Sequence, residues 1–184
     1  AAPSFRVTEA KGRYGADGAV RFTARASSSQ YGPLGVDVTG SAANPLIRVA
    51  APRPGVGIGL ADATATIRSE KGVWLIAGKG ASDYGPLTAN IAATTGRGPL
   101  AIEVRPGTSF SGVNLTGRLV QGAAGPFAGT LFASGSGIDG QVALSNAGGY
   151  QHALIDAKAA QARLEGPVGL TIDRAFLKAD AVMT

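Results

Sequence analysis

Apolar and polar residues alternate strictly in one segment of this chain after another. Val20, Phe22 and Ala24 are separated by Arg21 and Thr23. The same period of two returns in three further segments, at 5–8, 100–105 and 113–119. A period of two places successive side chains on opposite faces of a β-strand, so each segment is predicted to be a strand with one apolar face.

Glycine- and proline-rich turn sequences separate these segments at short intervals. The chain holds 28 Gly and 10 Pro among 184 residues, grouped in stretches such as 14–18, 52–55 and 134–140. Glycine adopts positive φ without steric cost, and proline presets the first residue of a turn. The sequence therefore predicts an all-β protein in which about a dozen short strands follow one another in a repetitive antiparallel meander.

An internal repeat supports this reading. Tyr31-Gly32-Pro33-Leu34 returns as Tyr84-Gly85-Pro86-Leu87, and Gly-Pro occurs again before 100, 127 and 168. Proline is tolerated at the first residue of a strand, and the preceding glycine accepts the turn conformation. Apolar side chains follow at the first, third and fifth positions after Pro33, Pro86, Pro99 and Pro167, which predicts a repeated strand register.

The segment 151–164 allows two interpretations. Its alanine-rich composition and the spacing of Leu154 and Leu164 suit a helix. Its similarity to 62–72, a threonine-rich stretch typical of a strand, favours a strand instead. The strand is the preferred prediction here.

The composition speaks against several classes of function. There is no Cys and only one His, His152, so a catalytic triad or a structural zinc site of the familiar kind is not expected. The net charge of +5 is spread singly along the chain, whereas a nucleic-acid surface requires clustered basic residues. We therefore expect no enzyme activity, no cofactor, no metal and no nucleic-acid partner.

The apolar face of such strands must be covered in one of two ways. It can be buried within a β-sandwich or barrel, or the sheet can curl into an elongated open groove that binds something apolar. The predicted inward positions carry mostly Ala, Gly and Val with few aromatic residues, and larger residues usually fill a closed core. This favours a groove suited to acyl chains, with the sandwich or barrel as the alternative.

The Gly-Pro-Leu strand openers, the short alternating strands and the strand pattern at both ends resemble the AsmA-like superfamily, whose TamB- and YdbH-type members lie in Gram-negative envelopes. The resemblance implies a long, curled, taco-shaped β-sheet that is anchored in the inner membrane, crosses the periplasm and conducts phospholipid along its interior. Residues 1–184 would then be a single β-repeat section excised from a longer periplasmic protein. Its partners would be phospholipid acyl chains, the rest of the same polypeptide and envelope proteins at its ends.

Thirteen residues match the inward strand phase and are the candidates for lining a lipid groove. They are Val36, Val38, Ile47, Val49, Leu87, Ile91, Ile102, Val104, Val113, Leu115, Val168, Leu170 and Ile172. Each could equally pack in a core without a ligand. Exposed strands at the two ends would also permit edge-to-edge self-association. A structural or adhesive β-repeat of a secreted surface protein and a small-ligand-binding β-sandwich remain as alternative functions.

Overall fold

A computed structural model describes residues 5–29, 31–55, 58–94, 98–122, 127–147, 150–164 and 169–183. These residues form thirteen β-strands: β1 Arg6–Tyr14, β2 Ala19–Ser28, β3 Gly32–Ser41, β4 Pro45–Ala51, β5 Ala61–Glu70, β6 Val73–Ala81, β7 Leu87–Thr94, β8 Ala101–Phe110, β9 Val113–Gln121, β10 Phe127–Gly135, β11 Ile138–Ala147, β12 Tyr150–Leu164 and β13 Leu170–Met183. Within the described ranges there is no helix, and hence none that could cross a membrane.

The thirteen strands form one sheet in which spatial order follows chain order from β1 to β13. Every neighbouring pair is antiparallel, so each strand hydrogen-bonds to the strands before and after it in the chain. β1 and β13 do not pair with each other, and the sheet is not closed into a barrel. The prediction of an all-β antiparallel meander is confirmed.

Three hairpins show how the sequence sets the turns. Two residues with positive φ connect β5 to β6, β8 to β9 and β10 to β11, and the second of them is glycine each time. Lys71 and Gly72, for example, have φ of 50° and 80°. Positive φ at both central residues is the type I′ turn, whose twist matches that of two antiparallel strands. These dipeptides therefore fix where each hairpin reverses.

The ambiguous segment 151–164 is a strand. It lies in β12, which pairs with β11 along one side and with β13 along the other. Its helix propensity is overridden because both neighbours supply partners for its backbone groups, a tertiary effect that local propensity does not include. The strand prediction is confirmed here.

The sheet lacks a conventional core. Among the described residues the only buried hydrophobic side chains are Ala92, Ala153 and Ala162, and no large side chain is fully buried. A sandwich or barrel of this size would bury valine, leucine and isoleucine between its layers. The apolar side chains are instead half-buried by their lateral neighbours within the same sheet.

Candidate apolar binding face

The strand register gathers the apolar phases of the strands on one face. Residues directly opposite each other in an antiparallel pair point to the same side of the sheet. Following these pairs from β2 to β12 defines a single set of side chains, which we call the apolar face. Its large members are Val20, Phe22, Leu34, Val36, Val38, Ile47, Val49, Ile67, Trp74, Ile76, Leu87, Ile91, Ile102, Val104, Phe110, Val113, Leu115, Leu119, Phe127, Leu131, Ile138, Val142, Leu144 and Ile155.

One row of opposed residues crosses this face from β2 to β13 without interruption. We call it the central ladder: Phe22, Val38, Ile47, Ile67, Ile76, Ile91, Val104, Gly117, Leu131, Val142, Ile155 and Ala179. Neighbouring strands are about 4.8 Å apart, so the row follows the sheet for roughly 50 Å. The apolar face therefore offers a continuous hydrocarbon path at right angles to the strands.

From β2 to β11, charge is confined to the opposite side of the sheet, which we call the charged face. Among the described residues of these ten strands that the register assigns to the apolar face, none is Asp, Glu, Lys or Arg, whereas Arg163 near the end of β12 and Asp173 of β13 fall in the apolar-face phase. The charged face carries cross-strand pairs such as Arg25 with Asp37, at 3.8 Å, and Lys158 with Asp139, also at 3.8 Å. This division gives the sheet one wettable side and one hydrocarbon side.

Nothing among the described residues covers the apolar face. Ile76 and Ile91 are only half-buried although each is flanked by apolar neighbours on both adjacent strands. Continuous apolar surfaces of this extent are uncommon on soluble proteins and mark sites of binding or association. The face is thus free to contact a ligand.

Two glycines of the apolar face, Gly78 and Gly140, stand where neighbouring strands approach each other closely. A Cβ placed on Gly78 would lie 3.7 Å from the Cβ of Ala65 and 3.8 Å from that of Ala89, its partners on the two neighbouring strands. One placed on Gly140 would lie 2.7 Å from the Cβ of Ala157. Opposed Cβ atoms in antiparallel pairs are about 4.5–5.5 Å apart. Glycine therefore permits a closer approach of the strands at both places than a residue with a side chain would.

Two glycines on the apolar face permit a close approach of β9 and β10. Gly117 and Gly129 have φ of 147° and 139° and lie opposite Leu131 and Leu119. A Cβ on Gly117 would collide with the backbone oxygen of Thr130. Any other residue would therefore have to push the two strands apart, which explains why glycine stands in the central ladder at this point.

The structure places ten of the thirteen predicted lining residues on the apolar face. They are Val36, Val38, Ile47, Val49, Leu87, Ile91, Ile102, Val104, Val113 and Leu115. Contact of any of them with lipid stays a prediction. Val168 lies outside the described residues, and Leu170 begins β13.

Ile172 lies on the charged face, contrary to the expected phase. Alternation along β13 groups it with Arg174, whereas Leu177 and Ala179 pair with apolar-face residues of β12. Counting from Pro167 suggested the other phase, but pairing with β12 decides the face a residue occupies.

Sequence reasoning missed other members of the central ladder. Ile67, Ile76, Val142 and Ile155 lie on it but do not follow a Gly-Pro opener closely, whereas Leu131 is the fifth residue after Pro126 and could have been found from that opener. Ile67 could have been found, because it alternates with the polar residues Thr66 and Arg68. Ile76 could not, because the first four residues of β6 are all apolar and so show no alternation between the two faces.

Comparisons with protein-family models, with curated proteins and with solved structures find no match to this chain. The likeness to the AsmA-like superfamily therefore rests on the strand openers and the alternation alone.

Proposed function

We propose that this chain is a section of a bridge-like lipid-transfer protein whose apolar face carries phospholipid acyl chains. The observation that supports the proposal most strongly is the central ladder, an uncovered row of apolar residues that follows the sheet for roughly 50 Å across twelve strands. A hydrocarbon chain is the ligand that such a surface suits best, because from β2 to β11 the face offers dispersion contacts and no charge.

The magnitude of the interaction suits transport. Burying one methylene contributes about 0.8 kcal/mol, so a chain of about sixteen carbons that is half-covered would gain roughly 6 kcal/mol. A binding free energy of this size keeps the lipid on the face rather than in water and still allows it to dissociate quickly. Successive rungs such as Ile67, Ile76 and Ile91 are nearly identical, so a bound chain meets no deep minimum as it slides from one strand to the next.

The row beside the central ladder leaves room for the chain. It contains Ala24, Val36, Val49, Ala65 and Gly78, all small or medium side chains. These residues make a shallow depression beside the larger isoleucines of the central ladder. Since the charged groups of β2 to β11 lie on the other face, this section would bind the tails and leave the headgroup in water.

The likeness to the AsmA-like superfamily suggests where the section works. We propose a periplasmic location, a parent chain anchored in the inner membrane, and movement of phospholipid between the inner and outer membranes. Further parts of the same polypeptide and envelope proteins would be its protein partners. Neither a catalytic role nor nucleic-acid binding is part of the proposal.

Site-specific photo-crosslinking tests the proposal. A benzophenone amino acid is introduced at Val104 on the apolar face, and in a matched variant at Glu103, its exposed neighbour on the charged face. Incubated with phospholipid vesicles and irradiated, the Val104 variant should crosslink to lipid and the Glu103 variant should not. Equal crosslinking at both positions, or none at either in a folded protein, would refute lipid binding by the apolar face.

A second variant extends this test along the row. With the crosslinker at Leu115, the additional substitution Val104→Arg should reduce lipid capture while circular dichroism stays that of a β-sheet. If capture is unaffected, lipid does not lie along the path that the ladder defines.

A further inference from the structure

The two edge strands of the sheet present their free backbone groups differently. β1 is interrupted by a register shift between Val7 and Glu9 and contains Gly12. β13 carries four charged residues, as β1 does, but it pairs with β12 over Leu170–Met183 without a register shift and contains neither Gly nor Pro. Irregularities blunt an edge, whereas a long regular edge strand is open to another strand. β13 is therefore the edge better suited to pairing.

Large apolar side chains are exposed along β13. Phe176 is 75% exposed, Leu177 53% and Val182 54%. Leu177 belongs to the apolar face, since it pairs with Ala157, and the other two lie on the charged face. Both sides of the edge thus offer apolar area that a further strand would cover.

We propose that β13 pairs antiparallel with β13 of a second copy of this chain, with the twofold axis at Leu177. An axis normal to the sheet keeps the apolar faces of both copies on the same side. In this register Leu177 lies opposite the partner's Leu177. On the charged face Arg174 then meets the partner's Asp180, Phe176 meets the partner's Lys178, and Ile172 meets the partner's Val182. Each of these three pairs occurs twice, as twofold symmetry requires.

The charges of a single copy favour this arrangement. Arg174 makes no ion pair within the part of the chain that the structure describes, and Asp180 has only a 4.0 Å contact with His152. The pairing would give each of them an opposite charge directly across the strand, which is the stabilising arrangement in a sheet. Phe176 pairs with Lys158 of β12 in the strand register. On its free side it would lie opposite the partner's Lys178, whose ammonium group is then placed for a cation–π contact with the ring.

Neighbouring registers are less favourable. Centring the pair on Phe176 would place Arg174 opposite the partner's Lys178, and centring it on Lys178 would place two ammonium groups against each other. Like charges directly opposite destabilise a sheet. Centring the pair on Ala179 would set Lys178 opposite the partner's Asp180, but it leaves Arg174 beyond the overlap and shortens the paired segment from 171–183 to 175–183. The length of the overlap and the charge pairing together therefore favour Leu177 as the centre.

The pairing does not rest on the proposed function, but it would extend the surface on which that function depends. Two thirteen-stranded sheets would join into one sheet, and the apolar face of one copy would continue into that of the other through the two Leu177 side chains. The joined sheet would then carry an apolar surface about twice as long as that of one copy.

A charge exchange tests the register. The whole chain is examined by sedimentation equilibrium, with far-UV circular dichroism to verify folding. We expect a dimer whose dissociation constant rises by about tenfold or more in Arg174→Asp and in Asp180→Arg, because each change sets like charges opposite each other twice. The double variant Arg174→Asp/Asp180→Arg restores the opposite charges and should recover the dimer. A chain that stays monomeric up to its solubility limit overturns the proposal, and so does a dimer that neither single variant weakens.

Crosslinking provides an independent measurement. The chain has no Cys, so a single introduced thiol reports one position. With a short bismaleimide, Leu177→Cys should form covalent dimers, since the two copies of this position are adjacent. Thr171→Cys is the matched control on the same strand, because its two copies would be about 40 Å apart. Equal dimer yields from the two variants would contradict the register. Neither readout uses lipid, so failure here leaves the lipid-transfer proposal to its own test.

Discussion

Replacing Ile76 with arginine tests whether the apolar face is open. Ile76 is a half-buried rung of the central ladder between Ile67 and Ile91, and nothing among the described residues covers it. Full burial of an isoleucine side chain contributes about 1.5–3 kcal/mol, so Ile76→Arg on an open face should cost roughly 1 kcal/mol, part of which the arginine stem recovers by lying along its neighbours. For a chain of this size that lowers Tm by about 2–4 °C.

The cost would be much larger if a second layer covered the face. An unpaired charge taken out of water costs several kcal/mol, a large fraction of the total stability of an ordinary protein, so Ile76→Arg would then unfold the chain. Ala77→Arg is the matched control, since Ala77 is the next residue of β6 and is exposed on the charged face. Thermal unfolding followed by circular dichroism compares the two variants.

The same variants separate binding from stability. On the open face Ile76→Arg should remove the contacts of about two methylenes of a bound chain, which corresponds to roughly tenfold weaker binding of an apolar fluorescent probe. Ala77→Arg should bind the probe like the unmodified chain. Unfolding of the Ile76 variant alone, or equal probe affinity in both variants, would refute the open-face reasoning.

Three smaller perturbations test other parts of the structure. Gly117→Ala should lower the free energy of unfolding, measured in urea, by about 1–3 kcal/mol, because the φ of Gly117 is 147° and the added Cβ meets the backbone of β10. In the control Gly98→Ala the added Cβ has no atom within 4 Å, so stability should hardly change, and equal effects of the two substitutions would contradict the close approach. Lys11→Met should raise the pKa of the Glu9 carboxyl toward its ordinary value, because the Lys11 ammonium donates a hydrogen bond to that carboxylate and holds its pKa down. If the pKa of Glu9 measured by NMR titration is the same in both proteins, the two side chains do not form this ion pair. Thr108→Val should lower the free energy of unfolding by about 1–3 kcal/mol, because the hydroxyl of Thr108, a residue only 5% exposed, accepts a hydrogen bond from the backbone N–H of Asn90 in β7 and donates one to its C=O. A loss below about 0.5 kcal/mol would show that these backbone groups find other partners.

Most of the strands could be predicted from the sequence, because period-two alternation and Gly-Pro turns are local signals. β3 shows both, since it begins at Gly32 and alternates through Leu34, Val36 and Val38. The segment 151–164 was ambiguous because alanine favours a helix in isolation, and only pairing with β11 and β13 decides it.

The ladder could not be predicted, because it depends on which residues lie opposite each other. Register shifts occur between Ala61 and Thr64 and between Thr88 and Ile91, and each one changes the pairing that alternation alone would suggest. Such shifts depend on bulge geometry rather than on hydrophobic period. The same reason accounts for Ile172, whose face is decided by β12.

The residues that the structure describes form no layer over the apolar face, and this has a consequence for the isolated chain. A sheet with one uncovered hydrocarbon side is held together by its backbone ladders and by lateral contacts between side chains, as the half-buried isoleucines show. Exposed faces of this kind bind ligands or associate. The chain should therefore be more soluble, and unfold at a higher temperature, when its apolar face is occupied.

Native mass spectrometry of the purified chain tests the central claim most directly. If the apolar face carries acyl chains, the spectrum should show the mass of the chain together with adducts of phospholipid mass. Organic extraction should remove these adducts, and added phospholipid should restore them. A folded chain that carries no adduct and acquires none from added phospholipid would contradict the account.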